Sequence, residues 1–181
     1  MIEETHPFGF FMPNDAKRLV IGSFPCFNGI DYGEWFYCGS SKNYFWQLLS
    51  DLYDMPALNL DDKRLICQTH GIAITDIAFR IFRLQGNCSD ANLKIIQYND
   101  SIIKKCLDSS IDIILFTSRF VEKHFKAIFP NFANQTAVIP SPSPAANRFI
   151  AGLKEYKEMK SEGLIATVYD YRLLKYKQVF N

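Results

Sequence analysis

The sequence predicts an α/β fold of three layers, in which helices cover both faces of a central, mainly parallel sheet of four strands. Four short apolar runs are the first observation behind this prediction, and each run leads into a loop of small or polar residues. The runs comprise residues 18–23, 72–77, 112–117 and 136–140. Segments with apolar residues three and four positions apart separate these runs, and such alternation of strands and helices favours a parallel sheet.

The same spacing rule predicts six helices, and residues with known end preferences mark several of their limits. Ser41 and Ser118 are placed to cap helices, and Ser143 followed by Pro144 is typical of a helix start. Gly71 ends the second helix, whose first turn carries two aspartates that complement the helix dipole. The predicted helices cover residues 42–55, 60–69, 92–107, 119–129, 144–160 and 169–180.

Length and composition indicate one domain over residues 1–181. Hydrophobic residues make up 48% of the chain, which is enough for a packed core, and no repeat or linker interrupts it. The 20 basic and 19 acidic side chains leave a net charge of +1, which neither requires nor excludes a nucleic-acid partner. The longest apolar runs are too short to span a membrane, and the acidic N-terminus lacks the pattern of a secretory signal.

The cysteines and histidines point to no metal site. Five cysteines are spread along the chain, an odd number without a Cys-x-x-Cys pair, so neither a disulfide framework nor a zinc site follows. We therefore expect reduced thiols and a cytoplasmic location. The histidines at positions 6, 70 and 124 are expected in a tail, at a helix end and within a helix, away from any site.

The loops that follow the four strands are the expected place for a ligand. The carboxyl ends of parallel strands meet at one edge of a sheet, where α/β proteins bind their ligands. These loops begin after Ser23, Asp76, Ser118 and Pro140. The first of them is about twenty residues long and rich in glycine and aromatic residues, and loops of that length are usually functional.

Two segments in these loops resemble a known family. The first is Gly22-Ser23-Phe24-Pro25, followed by Asn-Tyr-Phe-Trp from position 43. The second is the run Ser-Pro-Ser-Pro-Ala-Ala-Asn-Arg at positions 141–148. Together they resemble the uracil-DNA glycosylase superfamily, and most nearly its mismatch-specific uracil and hypoxanthine branch. A strand that ends in Thr-Asp at 75–76 and an Asn-Asp pair at 99–100 fit the same pattern, so the resemblance covers roughly residues 18–150.

This resemblance implies an enzyme of base excision repair that hydrolyses the N-glycosidic bond of a deaminated base, uracil or hypoxanthine. It implies a base flipped out of single-stranded or mismatched DNA, no cofactor and no metal. We expect a monomer that is monofunctional, because no lysine is placed to form a Schiff base.

Three departures from the family pattern bear on activity. Phe24 stands where many members carry the Asp or Asn that handles the attacking water, and Ser141 stands at the usual His or Asn. Ala145 replaces the leucine that other members push into the duplex, which predicts a preference for single strands or unstable pairs.

Asn43 and Asp76 are the catalytic candidates. In the hypoxanthine-acting branch the polar role of the first motif passes to the asparagine at the position of Asn43, which could hold a water or bond the base edge. Asp76 is the best carboxylate for the sugar or the water. The alternatives are that Asn43 only bonds the backbone at a helix start and that Asp76 only caps a turn.

The base-binding candidates lie in the first loop. Backbone amides of Gly22, Ser23, Phe24 and Pro25 could face the leaving base, with the glycine allowing close approach. Two aromatic residues are candidates for stacking on the base, although both could simply seal the loop against the core. These residues are Phe36 and Tyr37.

The DNA-binding candidates lie in the second loop. Two serine hydroxyls and the helix N-terminus that follows them suit a phosphate, although an ordinary Ser-Pro cap explains the same residues. The candidates are Ser141, Ser143, Ala145, Asn147 and Arg148.

Two other classes of function remain open. The missing polar residues at 24 and 141 are consistent with an altered member that binds nucleic acid, a nucleobase or a nucleotide without excision. The third possibility is a small α/β enzyme that acts on an unrelated nucleotide-like metabolite.

Overall fold

The computed structural model describes residues 2–180 and contains a five-stranded sheet, a three-stranded sheet and flanking helices. The strands are β1 (Ile2–Thr5), β2 (Phe10–Phe11), β3 (Arg18–Gly22), β4 (Ile72–Asp76), β5 (Ala78–Arg83), β6 (Leu93–Tyr98), β7 (Ile113–Phe116) and β8 (Gln135–Val138). The helices are α1 (Phe45–Tyr53), α2 (Leu60–Thr69), α3 (Asp100–Leu107), α4 (Arg119–Ile128), α5 (Asn147–Gly152), α6 (Lys154–Ser161) and α7 (Val168–Phe180).

The central sheet contains the four predicted strands and one more. Its order is β2-β4-β3-β7-β8, and β3 pairs in parallel with both β4 and β7, while β7 pairs in parallel with β8. The fifth strand, β2, lies antiparallel on the edge beside β4. The prediction of four strands was wrong by this edge strand, because two residues are too few to produce an alternating pattern.

The second sheet was not predicted. It is antiparallel with the order β1-β5-β6, and β6 occupies residues that the sequence analysis placed at the start of a helix. Within β6, Leu93 and Ile95 face the core while Ile96 is exposed, so the spacing is that of a strand. Helix α3 begins only at Asp100.

The core lies on both faces of the central sheet. Along β3, Leu19 and Ile21 pack into one apolar cluster with residues of α3 and α4, while Val20 packs into the other with residues of α1, α2 and α7. Successive side chains of a strand point to opposite faces, so this division places helices above and below the sheet. The mixed α/β arrangement predicted from the sequence is therefore present.

Most helix limits follow the local signals, with two corrections. Ser118 caps α4, and its Oγ accepts a hydrogen bond from the amide of Val121. Ser41 caps nothing, because α1 begins only at Phe45. The helix predicted over 144–160 is instead a 3-10 turn followed by α5 and α6, which are separated at Leu153. Among residues 2–180, the longest apolar helices fall short of what a membrane span requires.

Two cysteines correct the expectation of reduced thiols throughout. Cys26, in the loop after β3, forms a disulfide with Cys88 in the turn between β5 and β6. Cys38, Cys67 and Cys106 are free. The sequence gives no sign of the pair because 62 positions separate its members and only the second sheet brings them together. Because two of the five cysteines are paired, the cysteines no longer support the prediction of a cytoplasmic location.

Reduction of this disulfide is expected to lower the free energy of unfolding by about 2–4 kcal/mol, because the bond closes a long loop in the unfolded chain. Urea unfolding with and without a phosphine reductant measures the difference. The double variant Cys26→Ser/Cys88→Ser is the control, and reductant should leave its midpoint unchanged. Equal midpoints for the wild-type protein in both conditions would contradict the expectation.

Candidate active site

A cavity of about 400 Å³ lies at the carboxyl edge of the central sheet, within the usual size range of small-molecule sites. Its walls come from the loops that follow β3, β4, β7 and β8, with the start of α1 and the β5–β6 turn completing the rim. The structure thus brings the two motif segments into one cleft. The predicted site residues that line it are Ser23, Phe24, Pro25, Tyr37, Asn43, Asp76, Ser141, Ser143 and Ala145.

The floor of the cavity depends on a glycine. Gly22 and Asp76 are partners in the β3–β4 register, and both are buried. A Cβ atom on residue 22 would overlap Oδ1 of Asp76 and stand 2.9 Å from the hydroxyl oxygen of Tyr37. The absence of a Cβ atom at Gly22 therefore leaves room for both the Asp76 carboxylate and the Tyr37 hydroxyl.

Asp76 has a partner that sequence analysis missed. Oδ2 of Asp76 lies 2.8 Å from Nε2 of His6, and both side chains are buried. His6 follows β1, whose pairing with β5 carries it to the sheet. The expectation that His6 lies in a tail away from the site is wrong. No local pattern could have shown the contact, because 70 positions separate the two residues.

The hydroxyl of Tyr37 is buried and makes no well-formed hydrogen bond within residues 2–180, although the nearby Thr117 side chain acts to lower its pKa. Burial, and next the negative charge of Asp76, raise the pKa of Tyr37 well above its ordinary value, so the hydroxyl keeps its proton. One face of its ring stacks on Phe45, with 4.0 Å between ring centroids. Tyr37 as a whole is half-buried while its hydroxyl is not accessible, so the surface that Tyr37 contributes to the cavity belongs to its ring or backbone atoms.

The variant Tyr37→Phe is expected to be as stable as the wild-type protein or more stable, because it removes an unpaired polar group whose burial costs about 1–3 kcal/mol. Tyr176→Phe is the matched control, since the buried Tyr176 donates its hydroxyl to the carbonyl oxygen of Pro140 at 3.3 Å. The control should lose about 1 kcal/mol. Thermal unfolding compares the two, and an equal loss in both variants would contradict this account of Tyr37.

Only one of the two phenylalanine candidates reaches the cavity. Phe24 lines it and is 8% exposed, whereas Phe36 is 1% exposed and does not line it. Phe36 packs beside Phe8 and His6, with ring centroids 5.4 and 5.7 Å away. The prediction that Phe36 stacks on a base is therefore wrong, because the first loop turns this ring into the core.

The position of Asn43 is compatible with both of the roles considered for it. Its Oδ1 accepts a hydrogen bond from the amide of Phe45 at 2.9 Å, as a residue at a helix start does. Asn43 also lines the cavity, so its side-chain NH₂ group is available to a ligand as a donor. The next amide, that of Tyr44, donates to the carbonyl oxygen of Pro142 at 3.0 Å and joins α1 to the second motif.

The serine hydroxyls of the second motif form hydrogen bonds within the loop that contains them. Oγ of Ser141 accepts from the amide of Ser143, and Oγ of Ser143 accepts from the amide of Ala145, both at 3.3 Å. Oδ1 of Asn147 accepts from Arg172 at 2.8 Å. Asn147 and Arg148 do not line the cavity, and Arg148 is exposed. The long helix whose N-terminus was expected to bind a phosphate is replaced by a short turn.

Arg172 fixes the shape of the second motif, and sequence analysis missed it. The side chain is fully buried, and its guanidinium donates to the carbonyl oxygens of Ser141 at 2.7 Å and Ser143 at 2.9 Å. It also lies over the ring of Tyr44, 5.0 Å from the centroid. In the sequence it is one arginine within the last predicted helix, where nothing in the local pattern indicates burial.

A second buried arginine holds the first motif. Arg83 forms a two-pronged ion pair with Glu4, at 2.7 and 2.9 Å, and also donates to the carbonyl oxygen of Pro25 at 3.2 Å. Each motif loop is thus held through its backbone carbonyls by one arginine from outside it.

The charged side chains of the cavity wall are both acidic. Asp76 and Asp90 line it, and no lysine or arginine of the described chain does so. Within residues 2–180, no group of three or more His, Cys, Asp and Glu residues is arranged to hold a metal ion.

A solved structure shares this architecture. The solution NMR structure of a putative uracil DNA glycosylase from Methanosarcina acetivorans has a TM-score of 0.64 with this chain. The two are 20% identical, and the match covers 94% of this chain and 98% of the other. No family model and no curated protein matches the chain. At this identity the likeness shows the fold, which is the one that the motif segments had implied.

Proposed function

We propose that the protein is a DNA glycosylase that hydrolyses the N-glycosidic bond of a deaminated base, uracil or hypoxanthine, in base excision repair. The observation that supports this most is the convergence of both motif segments and a buried carboxylate on one cavity. The shared fold of the Methanosarcina protein supports the same class. The proposed partner is single-stranded or mismatched DNA, and the proposed active form is a monomer without a cofactor.

In this proposal the flipped base enters the cavity beside Phe24, which supplies an aromatic contact. The side-chain NH₂ of Asn43 donates to an oxygen or ring nitrogen atom of the base edge. Because these groups are already in position before the base binds, little free energy is spent on reorganising the site.

Bond cleavage leaves the electron pair on the base and positive character on the sugar. A water then adds its oxygen atom to C1′, and the proton that it releases passes to Asp76 and from there to solvent. Asp76 is the acidic group at the cavity floor and would stabilise the sugar cation or hold that water. Backbone amides of the Gly22–Pro25 loop would face the negative charge that develops on the base. No lysine of the described chain lines the cavity, which supports a hydrolytic, monofunctional reaction.

Incubation with oligonucleotides that contain uracil, hypoxanthine or xanthine tests the proposal. Each base is placed in a single strand, in a matched duplex and in a mismatch, and alkali then cleaves any abasic site. We expect cleavage of at least one uracil or hypoxanthine substrate. Absence of abasic sites on every substrate at stoichiometric protein would overturn the proposal.

Asn43→Ala is expected to lower the excision rate at least tenfold if the NH₂ group of Asn43 contacts the base or the water. Asn43→Ser is the matched control for helix capping, because serine can still accept from the amide of Phe45 but lacks the NH₂ group. Single-turnover assays should therefore show a similar loss in both variants. A loss in the alanine variant alone would assign Asn43 to capping only.

Binding of a nucleobase or damaged DNA without excision is the second candidate. The observations that favour it are the apolar Phe24 in the first motif and the engagement of Oδ1 of Asn43 with the backbone. Both leave the activation of a water to the aspartates of the cavity wall, with no help from the first motif. Tight binding of a hypoxanthine or uracil oligonucleotide without turnover would distinguish it from the first candidate.

A further inference from the structure

We propose that His6 is a positioning residue that holds Asp76 with one carboxylate oxygen turned to the cavity. The inference rests on the proposed function, because Asp76 acts there on the sugar or the water. His6 comes from the segment between β1 and β2 and belongs to neither motif segment.

The hydrogen bonds of the ring fix where its proton lies. Nδ1 of His6 accepts from two backbone amides, those of Phe8 at 3.2 Å and Gly9 at 3.1 Å. An acceptor nitrogen carries a lone pair and no proton, so the ring proton is on Nε2. Nε2–H therefore donates to Oδ2 of Asp76 at 2.8 Å.

The surroundings of the ring hold it in this orientation. The His6 side chain has no exposed surface, and three phenylalanine rings stand around it with centroids 5.7–6.1 Å away. Rotation of the imidazole would break all three of its hydrogen bonds at once, the two from backbone amides and the one to Asp76. The ring is thus a fixed donor, and the turn from His6 to Gly9 sets its direction.

The two oxygen atoms of the Asp76 carboxylate therefore have different roles. Oδ2 is occupied by His6, while Oδ1 has no protein hydrogen bond within residues 2–180 and faces the space above Gly22. Oδ1 remains for a water or the sugar. His6 exchanges no proton with the substrate in this scheme, because a proton taken from water would pass from Oδ1 to solvent.

Two substitutions of His6 distinguish the effect of its hydrogen-bond donor from the effect of its ring packing. His6→Phe keeps an aromatic ring in the shell and removes the donor, whereas His6→Gln keeps an N–H donor for Asp76. We expect His6→Phe to lower the single-turnover excision rate at least tenfold, with the Kd for abasic-site DNA within twofold of the wild-type value. His6→Gln should keep at least a third of the rate. Equal rates in the two variants would overturn the inference.

A double variant tests whether His6 acts through Asp76. In an Asp76→Asn background, His6→Phe should change the rate less than twofold, because the group that it positions is already gone. A further tenfold loss there would show that His6 acts elsewhere. Thermal unfolding of each variant gives the folded fraction by which the rates are corrected.

A measurement on the wild-type protein does not depend on excision. The ¹⁵N spectrum of the His6 imidazole at pH 7 should show a protonated Nε2 and a bare Nδ1. A proton on Nδ1 would overturn the inference. If the protein excises neither uracil nor hypoxanthine, the proposed function fails, while this spectrum still decides whether His6 fixes Asp76.

Discussion

Replacement of Gly22 by alanine is expected to lower the rate of the proposed excision reaction at least 100-fold, which corresponds to about 2.7 kcal/mol in the activation free energy. A Cβ atom at this position would overlap Oδ1 of Asp76 and press on the hydroxyl of Tyr37. The backbone of β3 cannot retreat, because Gly22 lies in a central strand with neighbours on both sides. The carboxylate must therefore turn away from the cavity, and its bond to His6 is lost.

Gly86→Ala is the matched control for this substitution. A Cβ atom on Gly86 would meet nothing within 4 Å, so its rate and its thermal midpoint should stay at the wild-type values. Gly22→Ala should also lower the thermal midpoint, and circular dichroism at the assay temperature confirms that the tested protein is folded. A folded Gly22→Ala variant with more than a tenth of the wild-type rate would show that the carboxylate position does not limit the reaction.

Arg172→Met is expected to destabilise the protein by about 3 kcal/mol. The substitution keeps most of the apolar stem but leaves the carbonyl oxygens of Ser141 and Ser143 and the amide oxygen of Asn147 without their donor. Each unpaired buried acceptor costs roughly 1–3 kcal/mol, and part of this cost is offset because a buried charge is removed at the same time. Urea unfolding of the folded variant measures the net loss.

Arg119→Met is the control, because the Arg119 side chain is 80% exposed and its ion pair with Glu122 lies on the surface of α4. Exposed ion pairs contribute at most about 1 kcal/mol, so this variant should unfold near the wild-type midpoint. A loss of less than 1 kcal/mol in Arg172→Met would mean that water replaces the guanidinium and that the second motif keeps its shape without it.

The central sheet could be predicted because its strands are continuous apolar runs. Residues such as Val20 and Leu115 are buried between helices on both faces, which removes the need for alternation. Strands β1 and β2 could not be predicted, because their residues are half exposed or too few. Residues 93–98 were misassigned because Leu93 and Ile96 fit a helical spacing with Ile103 of α3, whereas the structure pairs the 93–98 segment with β5.

The place of the candidate site could be predicted, but much of its support could not. Strand-end loops meet at one edge for any parallel sheet, so Phe24, Asp76 and Ser141 were found from topology and motifs. His6 and Arg172 act from positions far along the chain, and no local pattern records such contacts. Phe36 was misassigned because a sequence does not show which way a loop aromatic points.

The two buried arginines bear on how far this cleft can be altered by mutation. Arg83 and Arg172 donate to main-chain oxygens, which every amino acid possesses, so these hydrogen bonds do not depend on the side chain at the accepting position. The exposed position 145 can therefore be varied while the hydrogen bonds of both arginines persist. Libraries randomised at position 145 should yield mostly folded proteins, which makes this part of the cavity rim a practical place to alter ligand preference by directed evolution.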